Sequence, residues 1–184
     1  LLPNTRVSNR NLVGRISLGT TATIRTLDPA DNTSFFASNI LYNTTERLYT
    51  YATGTTKLIP QLASGMPKIS KDGLTYRIPI RKGVKFHDGS AFTADDAVFS
   101  ILRMQGPTSN FRVYANAIGR PRAVDAHTLE LVTPEANPVL LEMLVNMFMM
   151  DREWAVKNKV ERAQDFKNNE ESFASRNANG TGPM

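Results

Sequence analysis

One stretch, Arg77 to Arg103 (RIPIRKGVKFHDGSAFTADDAVFSILR), leaves the backbone fewer choices than any other part of the chain. Leading into it, Leu74, Tyr76, Ile78 and Ile80 alternate with Thr75, Arg77, Pro79 and Arg81. A period of two puts one set of side chains on a core and the other toward solvent, which predicts a strand. Pro79 has no N–H to give to a ladder and argues for an edge position, while Lys71-Asp72-Gly73 upstream supplies the turn of a hairpin. Lys82-Gly83 and Asp88-Gly89 punctuate the short apolar pair Val84 and Phe86. Thr93-Ala94-Asp95-Asp96 then stands directly before Ala97, Val98, Ile101 and Leu102. The Thr93 hydroxyl is placed to cap the first helical turn, and both carboxylates lie at the positive end of the helix dipole.

The rest of the chain alternates short strands with helices. A strand is expected from Ile16 and Leu18 toward Ile24, ended by Leu27-Asp28-Pro29 because the residue before a proline is pushed out of helical geometry. Phe36, Ile40, Leu41 and Leu48 recur at helical spacing behind Thr33 or Ser34 as cap. Val124, Asp125, Leu129 and Leu131 suggest a second hairpin. Asn137-Pro138 then opens a helix predicted to run to about Met149. From Asp151 to Arg176 acids and bases balance, which reads as exposed helices with Trp154, Phe166 and Phe173 turned inward.

Composition excludes several classes. The net charge of +5 is local: Arg6, Arg10, Arg15 and Arg25 precede any acid, and the basic residues from Lys68 to Lys85 face only Asp72. Without interleaved aromatics or a nucleic-acid-binding motif, this argues for a solvated cationic surface rather than a nucleic-acid partner. The absence of cysteine fits an exported protein without disulfides as well as many cytosolic ones. No stretch is long and apolar enough to span a membrane, and the first residues lack the charged-then-apolar order of a signal peptide.

No enzyme motif stands out. His87-Asp88 is the nearest approach to a catalytic pair, but the DG that follows makes a turn, and the other histidine, His127, also falls at a hairpin turn. Two distant histidines without cysteine do not supply a metal site. Met143, Met147, Met149 and Met150 lie among leucines and read as core packing rather than a soft-metal surface. No Gly-x-Ser-x-Gly elbow, phosphate loop or zinc-protease helix occurs. The expectation is a protein that is not an enzyme and carries no cofactor or metal.

The Arg77–Arg103 stretch resembles the signature region of the family 5 extracellular solute-binding proteins of bacterial ABC importers, the group that includes oligopeptide- and dipeptide-binding proteins. Thr26-Leu27-Asp28-Pro29, Glu46-Arg47-Leu48, Leu58-Ile59-Pro60-Gln61-Leu62-Ala63 and Gly180-Thr181-Gly182-Pro183 agree in order and spacing, so the likeness runs over roughly residues 16 to 184. Members of this family are much longer, so the resemblance implies an N-terminal fragment. The implied fold is mixed α/β of the periplasmic binding protein-like type II kind. It would comprise the first segment of lobe I (1–48), a small inserted domain (49–174) and the return to lobe I (175–184), with the closing lobe absent.

The resemblance also implies a site and a mechanism. The loop and helix start after Leu-Asp-Pro line the cleft, which maps here to Asn32, Thr33, Ser34, Phe35 and Phe36, where an extended ligand docks as though adding a strand. The acidic residue some members place at the position of Thr33 is missing. Of Phe35 and Phe36, either one turns inward while the other faces the ligand, or both are core. Asn110, Phe111 and Tyr114 map near the cleft mouth, His87 to a structural position, and Thr181, Gly182 and Pro183 to the hinge, where glycine tolerates unusual backbone angles. Two lobes closing on a peptide or other small solute would present the closed form to the permease subunits of an ABC transporter. The whole protein would then be a monomer, periplasmic or lipid-anchored outside a Gram-positive cell, and at most peripheral to the membrane. Non-peptide solutes (nickel chelates, haem, opines, oligosaccharides) and the sensor module of a transcription regulator are the alternatives.

Overall fold

The computed structural model describes residues 24–31 and 34–184. The strand expected over Ile16–Ile24 therefore lies outside the described residues except at its last position, and so do Asn32 and Thr33. The order of elements is α1 (Phe35–Thr44), β1 (Tyr49–Tyr51), β2 (Leu58–Pro60), β3 (Lys68–Ile69), β4 (Thr75–Pro79), α2 (Ala94–Gln105), α3 (Arg112–Ala117), β5 (Arg120–Asp125), β6 (Thr128–Val132), α4 (Leu140–Leu144) and α5 (Arg152–Lys157). Strands β1 and β2 form an antiparallel hairpin, and the other four make an antiparallel sheet in the order β3-β4-β6-β5. Its mixed α/β character is as expected.

The alternation read from sequence sets the two faces of the sheet. Tyr76 pairs with Leu131 and Ile78 with Leu129, all four buried, and α2 lies across β5 and β6. On the opposite face Arg77 pairs in register with Glu130, which pairs with Arg122. Both guanidiniums bond the Glu130 carboxylate, and Arg122 and then Arg77 hold it below the usual carboxylate range. Helix α2 carries Ala94, Ala97, Ile101 and Met104 inward at helical spacing. Its start is a capping box in which the Thr93 N–H donates to Asp96 Oδ2 (2.8 Å).

Strand β4 is interior, not the edge that Pro79 suggested. The lost donor does no harm because the ladder is bulged there. Lys68 pairs with Arg77 and Ala63 with Ile80, so four residues, Ser64 to Pro67, stand against only two, Ile78 and Pro79, and across the bulge Ser64 N–H still donates to Pro79 O (2.8 Å). On the other side Ile80 N–H still donates to His127 O (2.8 Å).

Three expected helical features end differently. Helix α1 stops at Thr44, so Leu48 is buried outside it. Helix α4 stops at Leu144, not near Met149, because Phe148 bridges to Arg47 and Met149 N–H donates to Glu46 O (2.9 Å), which demands extended chain. Met147, Phe148, Met149 and Met150 are all buried, as core methionines should be, but no helical stripe could bury four successive side chains on one face. Beyond α5, residues to Arg176 contain two 3-10 turns, Phe166–Asn168 and Phe173–Ser175, rather than helices. The charges there pair at separations of eight and five residues, Arg162–Glu170 and Arg176–Glu171, which a helix face does not bring together. Phe173 is 47% exposed and stacks on Trp154, 5.6 Å between ring centroids, instead of turning inward.

Ile78→Ala would empty a fully buried position at the centre of the sheet. It should lower the unfolding free energy by about 2–5 kcal/mol, read as a drop in the urea midpoint, whereas exposed Arg81→Ala should change it by less than about 0.5 kcal/mol.

Candidate functional site

The site begins at a turn. Thr26 Oγ1 accepts from Asp28 N–H (3.0 Å), Asp28 Oδ1 accepts from Ala30 N–H (3.0 Å), and Asp31 N–H returns to Asp28 O (3.1 Å). Asp28 itself is wholly buried and gripped by Arg103 from the last turn of α2, Nη1 to Oδ1 and Nη2 to Oδ2, each at 2.5 Å. Nε also donates to Val160 O (2.8 Å) and Nη2 to Arg162 O (3.1 Å). A buried bidentate pair of this kind is favourable only when further hydrogen bonds support it, and here two of the other three N–H groups are so bonded.

A second loop is sewn to the first. Ser109 Oγ (2.8 Å) and Asn110 N–H (3.2 Å) both donate to Ala30 O, and Asn110 Nδ2 donates to Asp31 O (3.1 Å). Thr108 Oγ1 reaches Ala163 O (2.6 Å). The two segments expected to wall one cleft, the entry to α1 and the region of Asn110, are thus joined through backbone carbonyls. Between them lies Asp31, 2% exposed, with neither carboxylate oxygen hydrogen-bonded. Burial first, and the Asp28 charge second, push its carboxyl up to about 7. Arg103 and the backbone amides of Asn110 and Gln164 pull weakly the other way, and the Asn110 amide is already committed to Ala30 O.

Of the expected ligand-contacting residues, Ser34 is the N-cap of α1 and Phe35 and Phe36 are its first turn. Neither phenylalanine is core: Phe35 is 75% and Phe36 41% exposed, ring edge against ring face at 5.9 Å, because Ala37 and Leu41 take the inward positions of the helix. Phe111 is half-buried against the core, and Tyr114 on α3 is 59% exposed. Both line a concavity of about 390 Å³ floored by Met143 and Met147.

Thr181, Gly182 and Pro183 lie against the end of α1. Gly182 N–H donates to Thr44 O (3.1 Å), and His87 holds the segment from the other side. Its Nδ1 accepts from Gly180 N–H (3.3 Å) and its Nε2 donates to Gly182 O (2.9 Å), which fixes the neutral Nε2–H tautomer. The glycines answer to proximity rather than to backbone angle. A Cβ on Gly180 would stand 1.9 Å from Thr44 O and one on Gly182 2.5 Å from Asn43 O, and neither residue has a positive φ. Among the described residues no group of three or more His, Asp or Glu side chains could hold a metal ion, and no helix is long and apolar enough to cross a membrane.

Asp31 and the Arg103–Asp28 fork were not anticipated. The usable signal was Arg103 itself: Ala97, Ile101 and Met104 define an inward stripe, and Ser100 and Arg103 lie alongside it, so a cation there requires a buried acid.

Residues 57–183 match the family described as "Bacterial extracellular solute-binding proteins, family 5 Middle". A dipeptide-binding protein of Escherichia coli K12 is 34% identical over 146 residues, 67% of this chain and 26% of the relative. Among solved structures, NikZ of Campylobacter jejuni in complex with Ni(L-His) superposes with a TM-score of 0.72 at 27% identity, over 88% of this chain and 30% of the other. The substrate-binding domain of an oligopeptide ABC transporter from Bacillus anthracis gives 0.68 at 28% identity, over 73% and 29%. The chain therefore spans less than a third of the length of these relatives.

Arg103→Met would leave Asp28 buried without its cation and should cost about 3–5 kcal/mol of stability. The double change Arg103→Met with Asp28→Leu should recover part of that loss, as measured by urea unfolding.

Proposed function

The chain belongs to the bacterial extracellular solute-binding proteins of family 5, and we propose that it supplies one wall of the ligand cleft of a peptide-capturing component of an ABC importer. The observation that carries this reading is the pair Phe35 and Phe36, exposed at the first turn of α1, a few residues along the chain from the 28–31 turn that Arg103 and the 109–110 segment hold. Large apolar rings left in water on a fixed backbone are what an apolar or aromatic ligand side chain needs. An extended peptide would lie along residues 32–36 with its main chain bonded as an added strand, and Phe111 and Tyr114 would stand at the mouth.

In this reading residues 1–48 and 175–184 belong to one lobe and 49–174 to a small domain packed beside it. Thr181, Gly182 and Pro183, clamped by His87, are where hinge movement would be anchored. A ligand closes such a cleft only by its differential affinity for the closed state, and the closed state is what the permease subunits would recognise. The protein would work outside the cytoplasmic membrane as a binding protein, not a catalyst. A nickel chelate is the second reading, supported by the likeness to NikZ.

Native mass spectrometry of the gene product that contains this chain should release di- to oligopeptides, and a nickel chelate as the sole co-purifying solute would overturn the peptide reading. Phe35→Ala should weaken peptide affinity about tenfold, which is roughly 1.4 kcal/mol, and leave thermal stability nearly unchanged because the ring is exposed. The 184 residues alone, with one wall of a two-walled cleft, should give no measurable heat with a peptide pool.

A further inference from the structure

Every other buried carboxylate described in this protein is well furnished. Asp28 has the Arg103 fork and the Ala30 amide. Asp96 accepts from Thr93 N–H and Arg152 N–H. Asp151 accepts from Ser90 Oγ, Asn179 Nδ2 and two amides of α5, and Glu130 takes two guanidiniums. Asp31 alone among the described acids is buried with both oxygens unbonded. Among the described residues the charged groups that act on it are Asp28 from its own loop and Arg103 from α2, while the loops at 109–110 and 163–164 offer backbone amides. Arg103 is turned to Asp28, Val160 O and Arg162 O, and no hydrogen bond runs from it to Asp31. An ionised carboxylate in such a place is disfavoured, so the group holds its proton up to about neutral pH.

We propose that Asp31 is a positioning residue for the ligand-contacting start of α1: as the neutral acid it lets the 28–31 loop seat against Ser109 and Asn110, and on ionising beside Asp28 it unseats that loop. Its carbonyl is already the anchor for Asn110 Nδ2, and Ser34 to Phe36 follow it within five residues of chain, which makes them the part of α1 that a movement of this loop would reach first. The inference rests on the reading of residues 32–36 as cleft wall for its functional consequence, though the proton site itself does not. A protein exposed to the external medium meets pH values on both sides of neutrality, and ligand capture would weaken on the alkaline side.

The direction follows from linkage. With the folded carboxyl near 7 and the unfolded one near 3.8, the stabilisation is fully present below the unfolded value. Between the two values the unfolded chain gives up its proton and the folded chain does not, so the folding constant falls up to tenfold per pH unit. Above 7 this contribution is gone.

The test compares wild type with Asp31→Asn, which keeps the shape of the neutral acid at every pH. The Asp31 carboxyl ¹³C shift should titrate near 7. Amide exchange over Ser34–Phe36, corrected for its intrinsic pH dependence, should rise between pH 6 and 8 in wild type and stay flat in Asp31→Asn. Peptide affinity of the complete gene product should follow the same two profiles. An Asp31 titration near 4, or exchange profiles identical in the two proteins, overturns the proposal. Absence of peptide binding at any pH, with the exchange profiles as expected, overturns the cleft reading and leaves the proton-controlled loop standing.

Discussion

The rest of the structure is arranged around the Arg103–Asp28 fork. A guanidinium and a carboxylate placed out of water cost several kcal/mol each unless hydrogen bonds compensate, and Arg103 finds those bonds by drawing three segments to one point. It holds the turn at Asp28, the carbonyls of Val160 and Arg162, and, being on α2, the helix that covers the main sheet. The 109–110 loop then seats on Ala30 and Asp31 because the Asp28 turn presents those carbonyls outward. An unpaired carboxyl at Asp31 is tolerable only in this setting, where one arginine has been spent on its neighbour.

A second constraint acts at the other end of α1. The helix terminus leaves carbonyls of Asn43 and Thr44 without intrahelical partners, and the Gly180–Met184 segment supplies the missing donors: Gly182 N–H to Thr44 O and Met184 N–H to Asn43 O. This approach is close enough that only glycine fits at 180 and 182. His87 closes the arrangement from the Phe86–Ser90 turn, so a residue that looks catalytic in isolation is a two-sided backbone clamp. Asn179 extends the same joint through Asp151, the cap of α5.

Local rules recovered much of this. The alternation around Tyr76 and Ile78, the helix start behind Thr93, the hairpin at His127 and the turns at Gly73, Gly83 and Gly89 each depend on neighbours within a few residues, and all are present. Local rules failed where distant chain intervened. Pro79 is accepted inside the sheet because the chain from Ser64 to Pro67 bulges opposite it, and α4 is cut short because Phe148 and Met149 are claimed by Arg47 and Glu46. Arg47 itself is buried without a carboxylate, sandwiched over Tyr42 at 4.3 Å and Phe148 at 5.1 Å, a contact no spacing rule would suggest.

The candidate site divides along the same line. Motif order in the chain was enough to mark the family, and with it the entry to α1 as the segment to watch, since the Leu27-Asp28-Pro29 turn and the α2 signature are short-range features written in consecutive residues. Which phenylalanine faces solvent, and whether a carboxylate is paired, depend on what arrives from elsewhere in the fold. Phe35 and Phe36 are both outside because Ala37 and Leu41 fill the inner face, and Asp31 stands alone because Arg103, 72 positions further along the chain, is turned to Asp28. Burial and charge pairing are properties of the assembled neighbourhood, so only the tertiary structure could decide them.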